Sequence, residues 1–293
     1  MPMVESFIKY VQLEKRFSPH TITAYSKDLQ QFSKFLVDTF EILEIEKAEH
    51  AQLRSWVVHL MDSGVTSRTV NRKIVSLKSF YKFLQRRECI EINPASRLKS
   101  LRVSKDLPNF VKEGEMDNLL DHLAFEEGFS GQRDKLLLEM LYATGMRLSE
   151  LIGLTNKSIN YYEKTVKVLG KRNKERIMPL HQEVIDQVEK YKILKSEISS
   201  KSEKLLITNA GNDLYPQFVY NTVKRYLTHV TTLTKRSPHV LRHTFATHLL
   251  NKGADLNAVK DLLGHASLAS TQVYTHNSIE KLKAVFDQAH PKA

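Results

Sequence analysis

The chain has 293 residues, enough to bury a sizeable core in two domains, and its 41% hydrophobic and 26% charged residues are an ordinary globular balance. Lys and Arg number 44 against 33 for Asp and Glu, a formal net charge of +11; a surplus of this size points to a polyanionic partner, because each phosphate contact releases condensed counterions. A single cysteine, Cys89, excludes an internal disulfide, and the lack of an apolar signal core or of any membrane-length apolar run predicts a cytoplasmic protein with no membrane insertion.

Apolar residues recur at helical spacing through the first 90 residues. Val4, Phe7, Ile8 and Val11 make one stripe. Ser18-Pro19 offers an N-cap with proline in the first turn, and Ile22, Tyr25, Leu29, Phe32 and Leu36 follow on one face. Leu53, Trp56, Val57, Leu60 and Met61 form a third stripe that stops at Gly64. Val70, Ile74, Leu77, Tyr81 and Leu84 form a fourth. The pattern predicts four short helices packed as a bundle. The fourth also carries Arg68, Arg72, Lys73, Lys78, Lys82, Arg86 and Arg87 with no acidic residue among them. Charge of one sign on one helix predicts contact with DNA, a solubilising face being the alternative.

Asn93-Pro94 ends the helical pattern, and residues 96–108 are polar and basic with little periodicity, which predicts a domain boundary near 100–108. Beyond it, Met116, Leu119, Leu120 and Leu123 form a helical stripe, and Leu136 to Tyr142 lie in another helix that breaks at Thr144-Gly145. A short helix begins near Arg147. Ile159 to Tyr161, Thr165 to Leu169 and Arg176 to Met178 read as a three-stranded antiparallel sheet, with turn chemistry at Gly170 to Lys174. Helices are expected at Gln182 to Leu194, at Pro216 to Leu227, from Ser237-Pro238 to Leu250, at Asp255 to Leu263, and finally around Ile279, Leu282, Val285 and Phe286.

Several polar residues stand out. His239 and Arg242 share a face in the first turns of the Ser237-Pro238 helix, where a helix N-terminus suits a phosphodiester. Alone, such a pair is more often a surface salt-bridge former. His239 and His243 are four apart, but Val240 stands where a zinc protease needs its Glu, and one cysteine cannot complete a thiolate site. Arg147 and Glu150 lie one turn apart at a helix start, as many ordinary ion pairs do. Lys171 sits at the hairpin tip. His265 follows the helix-ending Gly264, and Tyr274 comes nine residues later. None is decisive singly.

Their order is. Ala143-Thr-Gly-Met-Arg-Leu-Ser-Glu-Leu151, Gly170-Lys-Arg-Asn-Lys-Glu-Arg-Ile-Met-Pro-Leu180, Ser237-Pro-His-Val-Leu-Arg-His-Thr-Phe-Ala-Thr-His248, Leu262-Leu-Gly-His-Ala-Ser267 and Thr271-Gln-Val-Tyr-Thr-His276 together resemble the signature of the tyrosine recombinases, the phage integrase family, in its XerC/XerD type. The resemblance covers essentially the whole chain. It implies a mainly α fold: a SAM-like helical core-binding domain at residues 1–101, a linker at 102–108, and at 109–293 a mainly helical catalytic domain with a small three-stranded sheet. One departure is Arg172, where many relatives have glycine beside the hairpin lysine.

By resemblance, Arg147, Lys171, His239, Arg242, His265 and Tyr274 are the catalytic set, with Glu150 supporting Arg147. Two guanidiniums hold the phosphate's non-bridging oxygens, Tyr274 attacks to form a 3′-phosphotyrosine, and His239 is the acid/base partner of the tyrosine. Lys171 protonates the leaving 5′-oxygen and His265 adds a hydrogen bond. No metal or nucleotide cofactor is expected, since the phosphotyrosine stores the bond energy. The resemblance further implies a C-shaped clamp on duplex DNA, four protomers (one recombinase or two) on two dif-like sites, a Holliday-junction intermediate, a terminal helix docked on a neighbouring protomer, and a role in chromosome-dimer resolution. Activation by the DNA translocase FtsK stays open. A transposon or phage integrase, a type IB topoisomerase and a non-catalytic DNA-binding protein remain as rivals.

Overall fold

The computed structural model describes residues 2–103, 109–170 and 175–264. The chain divides into two compact units, residues 1–105 and 106–293, each with its own core. No described helix is long and apolar enough to cross a membrane.

The first unit holds α1 (Pro2–Leu13), α2 (Pro19–Phe40), α3 (His50–Asp62) and α4 (Ser67–Arg86). The Ser18 hydroxyl accepts from the Thr21 amide and starts α2 as expected, and Glu41, in the left-handed region, ends it. The four apolar stripes meet around Leu29, Phe32, Leu36, Leu53, Trp56, Ile74, Leu77 and Phe80, all essentially inaccessible to solvent. Met61, read as part of the third stripe, is instead about half exposed (48%) at the end of α3. After α4 the chain stays with its unit: Ala95 and Leu98 are buried, and the Asn71 side chain bonds both the N–H and the C=O of Leu101.

The basic face of α4 is narrower than its sequence suggests. Lys73 is buried, and its ammonium donates to Asp28 of α2 at 2.9 Å and to Gln31. Arg72 closes on the same carboxylate with both terminal nitrogens, and Ser76 donates a fourth bond at 2.7 Å. The acid that balances these cations lies on the neighbouring helix.

The second unit is mainly helical, with one small sheet. A short helix α5 (Glu113–Asp117) runs into a π turn (Asn118–His122). α6 (Phe129–Thr144) is buried around most of its circumference, its charged Arg133, Asp134 and Glu139 included, and forms the centre of the unit. α7 (Leu148–Gly153) leads to β1 (Ile159–Asn160), β2 (Thr165–Leu169) and β3 (Glu175–Pro179), antiparallel in that order, with Val166 opposite Met178 and Val168 opposite Arg176. The first strand stops one residue short of Tyr161. α8 (Gln182–Ser196), α9 (Pro216–Val230), α10 (Pro238–Asn251) and α11 (Leu256–Leu263) complete the described part. The hairpin tip 171–174 and the expected final helix lie outside the described residues.

Candidate active site

Glu150 is the hub. α6 ends where Gly145 takes φ +59°, and the chain then restarts as α7 with Arg147 at the N-cap. Glu150, at the third position of that helix, accepts from the Arg147 backbone N–H at 2.7 Å and from its Nη1 at 2.9 Å. It also accepts both terminal nitrogens of Arg176, each at 2.7 Å. Each carboxylate oxygen thus receives two donors, which fills its lone-pair capacity. Burial alone would raise the Glu150 pKa, but the bonds from Arg176 and Arg147 outweigh it and hold the group below its ordinary value.

Arg242 arrives from the second turn of α10. Its Nη1 donates to the Gly145 carbonyl at 2.5 Å and its Nη2 to the Leu263 carbonyl at 2.6 Å. Arg147 reaches the next carbonyl, that of Gly264, at 3.3 Å. The two arginines therefore meet where α6 and α11 end. Burial, then repulsion from Arg147 and Arg176, draws the Arg242 pKa down to about 10, with Glu150 opposing the shift. Three guanidiniums surround one carboxylate, a surplus of two positive charges. The Arg147 side chain is a third exposed, so part of that charge faces solvent. Fixed, partly desolvated donors of this kind suit a phosphate-sized anion.

Two glycines shape the junction. A Cβ at Gly145 would collide with the Phe245 ring, and one at Gly264 would lie 3.2 Å from Arg176 Nη1. Both also take positive φ.

The remaining candidates divide in two. His239 is exposed on the first turn of α10, one turn before Arg242, and His243, next to Arg242 in the chain, is exposed as well. No group of three or more His, Cys, Asp or Glu able to hold a metal occurs among the described residues. Lys171, His265 and Tyr274 lie outside the described residues. Arg176 is the member of this cluster that sequence reasoning missed. A signal was present, since period-2 alternation along β3 puts Arg176 on the same inward face as Met178.

Residues 109–281 match the phage integrase family, and residues 4–88 match the phage integrase N-terminal SAM-like domain. Tyrosine recombinase XerC of Chlorobaculum parvum is 38% identical over 99% of this chain and 94% of its own length. Tyrosine recombinase XerD of Staphylococcus saprophyticus is 34% identical over 99% of both chains. Among solved structures, XerH site-specific recombinase bound to a palindromic difH substrate shares the fold, with a TM-score of 0.74 over 96% of this chain and 83% of that one at 22% identity. The chain belongs to the phage integrase family of tyrosine recombinases, site-specific enzymes that cut and rejoin DNA strands through a tyrosine nucleophile.

Proposed function

We propose that Tyr274 is the nucleophile, and that Arg147 and Arg242 present the scissile phosphodiester of a duplex recombination site to it. The observation that carries this reading is the surplus of two positive charges in the cluster of Arg147, Arg176, Arg242 and Glu150. A phosphodiester brings one negative charge, and attack by an oxyanion adds a second in the transition state, so the pocket is matched to the charge that develops.

In this scheme the tyrosine proton passes to His239 while the phenolic oxygen bonds to phosphorus. The bond from phosphorus to the 5′-oxygen breaks, and Lys171 supplies that oxygen with a proton. His265 donates a hydrogen bond to the phosphate. The 3′-phosphotyrosine keeps an ester bond of similar energy, so a 5′-hydroxyl from another strand reverses the chemistry without a nucleotide.

Relatives named XerC and XerD, and a XerH bound to difH, favour a dif-like target and resolution of chromosome dimers in the cytoplasm. Strand exchange then requires four protomers, of this chain alone or with a second recombinase, through a Holliday junction. A DNA translocase such as FtsK is a candidate activator.

The test is Tyr274→Phe on a nicked suicide substrate carrying a dif-like site. The variant should bind the DNA as the parent does and form no covalent adduct. A persistent adduct would refute the assignment.

A further inference from the structure

Arg176 counts toward the charge of the cluster but is given no step in the scheme above, and it is the most deeply buried arginine of the three. It comes from β3, opposite Val168, and so ties the sheet to α7. Its two arms take both oxygens of Glu150 in a fork-to-fork pair, and its Nη1 and Cδ pack against Gly264, 3.2 and 3.3 Å from where a Cβ would stand. Glu150 and Gly264 are also the two groups that hold the Arg147 guanidinium. Arg176 therefore touches both supports of the residue assigned to the phosphate.

We propose that Arg176 is a positioning residue for strand cleavage: it clamps Glu150 and the Gly264 turn so that Arg147 is held in the attitude that receives the scissile phosphate. This rests on the assignment of Arg147 above. Stability is a poor reason to keep such a group. A buried ion pair returns little after desolvation, and here the Nε of Arg176 finds no hydrogen-bond partner among the described residues. Charge supplies a second argument. With Arg176 satisfying Glu150, Arg147 keeps its charge available to the phosphate. Without it, one carboxylate faces two guanidiniums and the surplus falls to one. Lysine is a poor substitute, because its ammonium lacks the planar fork that gives each oxygen its own parallel bond.

The experiment is single-turnover cleavage of a nicked dif-like substrate with sulfur in place of the 5′-bridging oxygen. This leaving group needs no proton, so slow variants stay measurable and effects transmitted through Lys171 vanish. Arg176→Lys should bind DNA with an unchanged Kd and cleave ~10- to 100-fold more slowly, the order expected when a catalytic group is displaced by about 1 Å. In an Arg147→Ala background the same change should cost nothing further, because the two act as one unit. A defect that disappears on sulfur, or that multiplies with Arg147→Ala, would overturn the proposal. If Arg147→Ala itself cleaves like the parent, the assignment of Arg147 fails instead; if Arg147→Ala is impaired and Arg176→Lys is not, only the positioning role fails. Thermal melting accompanies each variant, and Arg176→Gln replaces Arg176→Lys if the latter is unfolded at the assay temperature. Unfolding of both would make Arg176 a residue of the fold alone and would also overturn the proposal.

Discussion

The guanidinium of Arg242 donates to the carbonyl oxygen of Gly145 at 2.5 Å, so α10 fastens the end of α6 at the point where Arg147 is about to begin α7. The turn leaves no room for a side chain. Gly145 combines φ +59° with an approach to Phe245, itself on α10. Gly145→Ala should lower stability by about 1–3 kcal/mol through backbone strain and overpacking. Thermal melting checks this, and adduct formation measured where both proteins remain folded should fall as well. A variant with the parent's melting temperature and cleavage rate would show that the turn is not constrained.

Asp28 and Lys73 make a different forecast for the first unit. Asp28→Ala leaves a buried ammonium with Gln31 as its remaining hydrogen-bond acceptor. Breaking a buried pair in this way costs ~3–5 kcal/mol, read as a lower urea midpoint for the unit. Charge reversal at Lys73 should do the same, so its effect on DNA binding is a loss of fold. Arg68, exposed near the start of α4, gives the cleaner probe. Arg68→Glu should spare stability and reduce the slope of log affinity against log salt by about 1 if the side chain meets a phosphate.

Glu150 gives a pH dependence with a definite sign. Its folded-state pKa lies below the ordinary 4.5 because Arg176 and Arg147 together outweigh the effect of burial. The resulting stability is complete above the unfolded value and is lost as pH falls through the folded one. Glu150→Gln should therefore be less stable than the parent at neutral pH and show a flatter decline below about pH 4.5. Parallel melting curves at every pH would contradict the assigned bonds.

Lys171 and Arg242 separate in one assay. If Lys171 protonates the leaving oxygen, Lys171→Ala should slow cleavage ~100- to 10,000-fold on normal DNA and be nearly restored by the 5′-bridging sulfur substrate. Arg242→Ala should be impaired on both, since it stabilises phosphate charge. Equal defects of Lys171→Ala on oxygen and sulfur would limit Lys171 to holding DNA. Arg172, beside it, is a poor alternative donor because a guanidinium rarely gives up a proton.

Periodicity made most of the fold legible. The stripes on α1 to α4, the Ser18 cap, the Thr144-Gly145 break and the antiparallel strands all follow from local spacing, and all are present. What escaped was decided between elements. Lys73 falls on the same helical face as Val70 and Leu77, and Asp28 on that of Tyr25 and Phe32. Lys73 was grouped with the cations expected to face DNA, and its pairing with Asp28 emerges only when α2 and α4 are brought together. Met61 lies one turn after Val58 on the exposed side of α3, while Leu60 beside it is buried. At the site, Arg147, Glu150 and Arg242 were visible as motif residues. Arg176 lay inside the quoted Gly170 to Leu180 stretch and in a strand but was given no role, because its partner lies 26 positions earlier in the chain.

The clasp made by Arg242 also says when this pocket can exist. Its two carbonyl partners are 97 residues before it and 21 residues after it, and Arg147 waits for a carbonyl 117 residues downstream. Contacts so distant in sequence form late, and a ribosome delivers the N-terminal partners first. An emerging chain that already carries Arg147, Glu150 and Arg176 has half an anion cradle and nothing to close it. Translation interrupted before Leu263 thus releases a fragment in which Arg242 lacks its Leu263 carbonyl and Arg147 its Gly264 carbonyl, so the arginine cluster stays unassembled.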